Sequence, residues 1–273
     1  MSRIIIRPQS RSNLFNFNEL WLYRELFYFL SWRDVKVKYK QTMLGIAWVV
    51  LQPLLMMVIF TLFFSRTLSI PSDNMPYPVF CFSGLLFWNM FSSGLSSSGN
   101  SLVSNANIIK KIYFPRLIIP VSAVIVAVFD FLVTILLFLF VLAIWSFTPH
   151  WSILLYLPLA FIITLFTTCG AGFLLSALNV KYRDFRYIIP FLVQILLFAT
   201  PVIYPVSMIK TAWIKILLSL NPMTAAIHVT RAGLTGTAPE TFIVVAGMIS
   251  CVIILLTGVI VFRKMESIFA DVA

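Results

Sequence analysis

Long apolar stretches with few or no charged residues constrain the fold of this chain more than any other feature. A helix needs about 20 consecutive apolar residues to cross the hydrocarbon core of a bilayer, and several stretches reach that length. Charged residues make up only 11% of the chain, against roughly a quarter in soluble domains. We therefore predict an all-α integral membrane protein with six transmembrane helices. The predicted spans cover residues 44–64, 78–102, 117–147, 152–178, 187–205 and 241–262.

An apolar stretch between the fifth and sixth spans is predicted to re-enter the outer face of the membrane without crossing it. Irregular backbone at membrane depth is tolerated only where protein or a water-filled cavity surrounds it, so this segment is expected at the mouth of a pathway. An interfacial loop without a gating role is the alternative. The stretch is interrupted by prolines and cations at Pro201, Pro205, Pro222, Lys210, Lys215 and Arg231.

The distribution of positive charge predicts the orientation of the spans. Lys and Arg close to helix ends are retained on the cytoplasmic side. If the N-terminus is cytoplasmic, 16 of the 20 Lys and Arg residues fall in inner segments. Both termini are therefore expected in the cytoplasm. The basic character of the chain is explained by membrane topology, and no nucleic acid partner is predicted.

The N-terminal region is predicted to lie at the cytoplasmic interface. It opens with MSRIIIRPQSRSNLFNF, which lacks an apolar run of signal-peptide length. The following segment, FNELWLYRELFYFLSWRDVKVKYKQ, mixes aromatic and charged residues and is predicted to begin as an amphipathic interfacial helix. A lipid anchor and a docking surface for a partner are equally compatible with its periodicity. The predicted organisation is a cytoplasmic N-terminus (residues 1–43), a transmembrane domain (44–263) and a cytoplasmic tail (264–273).

The chain contains no sequence motif for binding a nucleotide. A phosphate-binding loop requires the spacing G-x-x-x-x-G-K-[ST], and none of the ten glycines is followed by lysine. If ATP drives the protein, a separate chain must supply it. We therefore predict no enzymatic activity and no catalytic residue in this chain.

Asp130 is the single carboxylate near the middle of a predicted span, within VAVFDFLVTIL. Intramembrane acids often serve ion coupling, which keeps a secondary transporter as an alternative. The sequence suggests no histidine, lysine or second acid as its partner, so a hydrogen-bonded role at a helix interface is preferred. The two histidines are isolated, and the three cysteines lack metal-site spacing, so no metal site is predicted. A membrane glycan transferase stays open as another alternative, although no cluster of acids and bases supports it.

The inner segment SNANIIKKIYFPRLIIP, residues 104–120, has the composition of a docking element. Two lysines and an arginine surround an aromatic pair, and Asn105 or Asn107 is placed to cap a short helix. Such an element could bind in a groove of a soluble partner. The alternative is that its lysines only follow the positive-inside bias.

Three segments of the chain resemble the ABC-2 type permeases that export polysaccharides. LSWRDVKVKYKQTMLGIAWVVLQP, residues 30–53, is similar to the opening signature of that family. Residues 105–120 resemble its Asn-Ile-Ile-Lys-Lys and Phe-Pro-Arg segment, and FRKMESIFAD at residues 262–271 resembles its usual ending.

The resemblance implies an ABC-2 exporter fold and a set of partners. It implies a homodimer in a bacterial cytoplasmic (inner) membrane, joined to two copies of an ABC ATPase subunit that binds the ATP and Mg. It also implies roles for two sets of residues. The ATPase contact would comprise Arg33, Asp34, Lys38, Tyr39, Asn105, Asn107, Lys110, Lys111, Tyr113, Phe114 and Arg116, and the outer gate would comprise Pro201, Tyr204, Pro205 and Pro222.

The substrate that the resemblance implies is a lipid-linked glycan. Lipopolysaccharide O-antigen ranks first, followed by capsular polysaccharide and teichoic acid. Aromatic rings suit such a passage because they stack on the C–H faces of sugars without binding them tightly. Trp48, Phe87, Trp88 and Phe91 are the predicted lining residues.

Overall fold

The computed structural model describes residues 21–40, 45, 47–182, 184–266 and 269. Within these ranges the regular structure is entirely helical. A π-helical segment, Thr61–Thr67, continues the second helix, and a short 3-10 turn, Val206–Met208, precedes the eighth. In chain order the α-helices are α1 (Arg24–Lys40), α2 (Ala47–Phe60), α3 (Tyr77–Ser104), α4 (Ala106–Lys111), α5 (Ile118–Ile144), α6 (Ile153–Lys181), α7 (Phe185–Ala199), α8 (Ala212–Ser219), α9 (Pro222–Thr235) and α10 (Thr241–Met265).

Five of the described helices are long and apolar enough to cross a membrane. They are α2 with its π-helical continuation, α3, α5, α6 and α10, and they contain 21 to 29 residues each. Each overlaps one of the predicted spans, which confirms the prediction of a multi-pass, all-helical membrane protein. The start of the first predicted span, residues 44 and 46, lies outside the described residues.

The predicted fifth span differs most from the structure. α7 has 15 residues and at 1.5 Å per residue extends over about 22 Å, short of a hydrocarbon core of roughly 30 Å. It ends at Ala199 because Thr200 precedes a proline and adopts an extended conformation. The sequence-based end at residue 205 was therefore too late.

The proline-broken stretch after α7 forms a bent pair of helices. α8 and α9 meet at an angle of 96°, and the pair would be a sixth span if counted as one broken helix. Asn221 caps the start of α9 at this bend, since its side-chain oxygen accepts a 3.0 Å hydrogen bond from the Met223 N–H. Most of α9 is buried inside the protein.

α3 forms the centre of the helix bundle and packs against α5 and α6. In the most hydrophobic stretch of α3, 78% of the residues are buried, whereas in that of α2 only 17% are buried. Small residues allow the close approach of its neighbours. A Cβ added at Gly94 would lie 2.6 Å from Cγ2 of Thr168, and one added at Gly172 of α6 would lie 2.4 Å from Oγ of Ser98.

The tightest helix crossing joins α6 and α10. A Cβ at Gly258 would lie 2.0 Å from the Gly170 carbonyl oxygen, and one at Gly170 would lie 2.6 Å from Cα of Leu255. The two glycines thus let the two backbones come into contact. In lipid, where the hydrophobic effect does not drive helices together, van der Waals packing at such close contacts stabilises their association. This crossing fixes α10 against the bundle and brings the chain back to the end of the molecule that carries α1 and α4.

Candidate functional site

α1 lies against the helix bundle and leaves a row of aromatic residues exposed. Leu30 is buried in a core cluster that also contains residues of α5, α6 and α10. Phe29 and Trp32 of α1 are exposed, as is Trp21 just before the helix. The amphipathic character of this region and its placement in the membrane interface stay predictions.

Residues 30–53 and residues 105–120, the first two segments that resemble the family, contact each other in the structure. Nη2 of Arg33 donates a 2.7 Å hydrogen bond to Oδ1 of Asp34 and a 2.8 Å hydrogen bond to Oδ1 of Asn105. Arg33 and Asp34 form an ion pair. The hydrogen bond to Asn105 connects α1 directly to the junction between α3 and α4.

Asn105 occupies the N-cap position of α4, but its side chain does not cap the helix. Its Nδ2 instead donates a 2.9 Å hydrogen bond to the Ser101 carbonyl, and its Oδ1 is taken by Arg33. Asn107 lies within the first turn of α4 and is exposed. The capping role expected for either asparagine is therefore wrong, because tertiary contacts with α1 use the group that would cap.

The exposed residues of the α4 region form a compact basic surface. Asn107, Lys110, Lys111 and Tyr113, here named the coupling surface, are all exposed. Phe114 is buried beneath them with only 3% exposure. Phe114 therefore anchors the segment, while the exposed residues are available for contact. The role of this set in binding an ATPase stays a prediction.

Arg116 is held by the C-terminal end of α10 and does not project outwards. Its backbone N–H donates a 3.3 Å hydrogen bond to Oε1 of Glu266, and its guanidinium donates to the Glu266 carbonyl. Oε2 of Glu266 accepts a 2.8 Å hydrogen bond from Arg263, and Arg116 also lies over the Phe269 ring. Glu266 and Phe269, which lie in the stretch that resembles the usual ending of the family, thus hold Arg116 at the end of α10.

Asp130 has two partners that sequence reasoning did not find. Its carboxylate accepts hydrogen bonds from Nζ of Lys38 and from the Tyr39 hydroxyl, both on α1. The expectation that Asp130 lacks a basic partner was wrong, because Lys38 binds it. The two residues are 92 positions apart in the sequence, so no local pattern connects them. The preferred role at a helix interface is confirmed. Burial and the bond to Asp130 raise the pKa of the Tyr39 phenol above its usual range, so Tyr39 stays a donor.

The residues expected to line a passage fall into two groups. Phe87, Trp88 and Phe91 are buried in the core of the protein, and Phe87 packs against Phe131. Trp48 is instead 51% exposed on α2. The lining role of these four rings stays a prediction, and in this conformation only Trp48 has a surface that a substrate could reach.

A buried arginine holds the loop after α7, and this residue was missing from the predicted site. Arg231 of α9 is only 5% exposed. Its guanidinium donates hydrogen bonds of 2.7 Å to the Pro201 carbonyl, 2.8 Å to the Val202 carbonyl and 3.3 Å to the Phe80 carbonyl. It also lies 3.5 Å from the centroid of the Phe80 ring.

Two of the four predicted outer gate residues, Pro201 and Tyr204, contact this arginine through their backbone carbonyls. Pro201, Pro205 and Pro222 are buried, and Tyr204 is partly buried with its hydroxyl donating a 3.1 Å hydrogen bond to the Phe198 carbonyl. Asn221 donates a 2.9 Å hydrogen bond to Oγ1 of Thr200, which joins the start of the loop to the bend before α9. Their gating role stays a prediction. The signal that could have found Arg231 is the presence of one cation in an otherwise uncharged helix.

Metal-binding chemistry is not indicated in the part of the chain that the structure describes. No group of three His, Cys, Asp or Glu side chains there is close enough to hold an ion. Cys81 and Cys251 are buried in the core, and none of the three cysteines forms a disulfide.

Residues 25–235 match the family model described as ABC-2 type transporter. An O-antigen export system permease protein of Klebsiella pneumoniae is 32% identical over 243 residues, which cover 88% of this chain and 92% of that protein. Another, of Myxococcus xanthus, is 32% identical over 207 residues, which cover 75% of this chain and 78% of that protein. A polysialic acid transport protein of Escherichia coli is 23% identical over 207 residues, which cover 73% of this chain and 77% of that protein.

The family match spans α1, the coupling surface, the central bundle and the bent helices α8 and α9. It therefore includes both the group of residues around α1 and α4 and the group around Arg231. From the membrane-spanning helices and from this match we conclude that the chain belongs to the ABC-2 type transporter family.

Proposed function

We propose that this chain is the permease subunit of an ATP-driven exporter that moves a lipid-linked polysaccharide from the cytoplasm across the inner membrane. The observation that carries the proposal is the similarity to O-antigen export permeases over 88% of the chain. That similarity extends through nearly all of the membrane-spanning helices rather than through a single motif.

The energy for export would come from a separate ATPase subunit, which binds ATP and Mg. This chain has no phosphate-binding loop of its own in its 273 residues. The coupling surface offers two lysines and a tyrosine to such a partner. Because Arg33 connects the base of α4 to α1, a push on the coupling surface would be transmitted to α1 and, through Lys38 and Tyr39, to α5.

The functional unit would be a homodimer of this chain with two ATPase subunits. α2 and α7 leave most of their apolar surface uncovered by the rest of the protomer, since only Pro53, Met57 and Ile189 of the two are buried. We propose that part of this exposed apolar surface contacts the second protomer and that lipid covers the remainder. A passage between two protomers would then lie beside the exposed ring of Trp48.

The proposed orientation places both termini and the coupling surface in the cytoplasm. The excess of Lys and Arg around α1, α4 and the end of α10 supports this arrangement. The Arg231-bound loop and the bent helices α8 and α9 would then lie at the outer side, where we propose that they form the exit of the passage. The tail beyond residue 263 would support the coupling surface from the cytoplasmic side.

Lipopolysaccharide O-antigen is the proposed cargo. The O-antigen export permeases share 32% identity with this chain, whereas the polysialic acid transport protein shares 23%. A capsular polysaccharide or a teichoic acid would require the same membrane machinery and is therefore the alternative cargo. All three are long, hydroxyl-rich polymers that are too large to cross the membrane unaided.

Deletion of the gene tests this function. The expected result is loss of long glycans from the cell surface, with lipid-linked glycan accumulating inside the cell, and restoration of both by the wild-type gene. Immunoblots of surface and cytoplasmic fractions would measure the two pools. Normal amounts of surface glycan in the deletion strain, together with no internal accumulation, would reject the proposal.

A further inference from the structure

A polar cleft lies among α1, α2, α3 and α5 and has a volume of about 140 Å³. It is lined by Trp48 and Gln52 of α2, Asn89 and Ser93 of α3, and the ion pair between Lys38 and Asp130. Because α2, α3 and α5 are all membrane-spanning helices, these groups form a hydrophilic patch inside an otherwise apolar region. Polar groups at such depth usually mark a pathway or a binding site.

Two amides in the cleft have unused hydrogen-bonding capacity. Among the described residues, the side chains of Gln52 and Asn89 show no hydrogen-bond partner. Each amide offers two donors and one acceptor oxygen, so the cleft presents both kinds of group to a ligand. Gln52 is exposed and Asn89 is partly exposed, so a molecule can reach them.

The charge of the cleft favours a neutral ligand. The carboxylate of Asp130 is 14% exposed and is paired with Lys38, and the Tyr39 hydroxyl donates to it as well. The two formal charges cancel, so the cleft has no excess charge with which to retain a phosphate or a cation. Neutral groups that both donate and accept hydrogen bonds, such as sugar hydroxyls, match this lining.

The size of the cleft and its aromatic wall further narrow the class of ligand that it could bind. Its volume is below the roughly 300–1,000 Å³ of pockets for drug-sized ligands, which suits a single sugar residue instead of an oligosaccharide. The exposed ring of Trp48 provides a flat apolar wall on which the C–H face of a sugar can stack. A small, neutral and open site binds weakly, as a site must if a polymer is to move past it.

We propose that this cleft is a subsite for one neutral sugar residue of the exported glycan, with Gln52 and Asn89 hydrogen-bonded to its hydroxyls and Trp48 stacked on its ring. The proposal rests on the function proposed above. Lys38 is a residue of α1 and also lines the cleft. Movement of α1 would therefore change the shape of the subsite and its affinity for the sugar.

Cysteine protection tests the subsite in the full exporter in cells. Asn89→Cys is labelled with a small maleimide in two strains, one that makes the lipid-linked glycan and one that lacks its first glycosyltransferase. The expected result is labelling that is severalfold slower when the glycan is present. Ser97→Cys, on the exposed side of the same helix, is the control and should react equally in both strains. Equal labelling of Asn89→Cys in the two strains would overturn the proposal.

Export rates provide the second arm of the test. Gln52→Met and Asn89→Leu each remove amide hydrogen bonds and should lower export by about two- to tenfold at unchanged membrane levels. Trp48→Leu should lower it, and Trp48→Tyr should preserve it. Thr257→Val, which replaces an exposed hydroxyl on α10 outside the cleft, is the control and should export normally. Full export by all three cleft variants would overturn the subsite.

The two arms also separate this proposal from the proposed function. If the gene deletion leaves surface glycan unchanged, the exporter function itself fails. If export depends on the chain but the cleft variants and the labelling rates show no effect, only the subsite fails. A lipid or water that fills the cleft would protect Asn89→Cys equally in both strains, and this also counts against the subsite.

Discussion

The guanidinium of Arg33 donates a 2.8 Å hydrogen bond to Oδ1 of Asn105, which follows it by 72 residues. This bond connects α1 to the base of α4, where the coupling surface begins. Arg33 is also paired with Asp34, which fixes the guanidinium in the direction of Asn105. α1 and the base of α4 are therefore joined, and we expect movement of either to be passed to the other.

Removing the bond between α1 and α4 should uncouple ATP hydrolysis from export. Both Arg33→Leu and Asn105→Leu should lower the glycan exported per ATP hydrolysed, and the double variant should lose less than the sum of the two single losses. The reason is that each substitution removes the same bond. A double-mutant cycle should give a coupling of about 0.5–1 kcal/mol, since the pair is partly exposed. Fully additive losses would contradict the account.

Reversing the charge of the coupling surface should prevent assembly with the ATPase. Lys110 and Lys111 are exposed, so replacing both with glutamate should leave the fold intact and abolish copurification of the partner. The control is Lys210→Glu, an exposed lysine beyond α7, which should assemble normally. Normal assembly of the Lys110→Glu and Lys111→Glu double variant would show that this surface does not bind the ATPase.

Replacing Arg231 should destabilise the protein. Arg231→Leu would leave the carbonyls of Pro201, Val202 and Phe80 without their buried donor, at a cost of about 2–4 kcal/mol. The melting temperature in detergent should fall by roughly 5–15 °C. Arg231→Lys should lose less, because it retains a donor but not the planar fork of the guanidinium.

Lys215→Met is the control for Arg231. Lys215 is paired with Glu240 at 2.6 Å, but both side chains are partly exposed, so its removal should change stability by less than about 1 kcal/mol. Equal melting temperatures for Arg231→Leu and the wild type would mean that the buried guanidinium does not hold the loop.

Neutralising Asp130 distinguishes a structural role from ion coupling. Asp130→Asn keeps an acceptor oxygen for Tyr39 or Lys38 and should retain most of the export activity. A secondary transporter that carries protons through Asp130 would instead lose transport completely. Export measured with and without a collapsed proton gradient would separate the two. Loss of export in Asp130→Asn, together with sensitivity to the gradient, would contradict the ATP-driven account.

The contact between α6 and α10 should not tolerate a methyl group. Gly258→Ala would place a Cβ 2.0 Å from the Gly170 carbonyl oxygen and should destabilise the protein by about 1–3 kcal/mol as the helices separate. Val252→Ile adds a carbon on the exposed side of α10 and should have little effect. Thermal unfolding in detergent measures both variants, and equal stabilities would contradict the close packing.

The sequence predicted the membrane-spanning helices well because hydrophobicity acts locally. Predicted spans such as residues 78–102 and 241–262 lie within α3 (Tyr77–Ser104) and α10 (Thr241–Met265). The predicted fifth span ended too late, because the two prolines after Ala199 were included in it. The conformational restriction that a proline places on the residue before it indicated the end of this helix better than hydrophobicity did.

Long-range polar contacts were beyond the reach of sequence patterns. Asp130 seemed to have no basic partner because Lys38 is brought to it by the packing of α1 on α5. Asn105 seemed suited to capping because its competing bond to Arg33 depends on the fold. The sequence groups Arg231 with Lys210 and Lys215 as cations of the proline-broken stretch, whereas its burial and its bonds to Pro201 and Val202 place it at the centre of the loop after α7.

Reconstitution of the purified protein tests the central claim most directly. The chain is placed in liposomes containing lipid-linked glycan, alone and together with its ATPase subunit, and both ATP hydrolysis and glycan translocation are measured. The account predicts neither activity for the chain alone and both for the complex, with both lost when the phosphate-binding lysine of the ATPase is replaced. ATP hydrolysis by the chain alone, or glycan translocation without the ATPase, would contradict it.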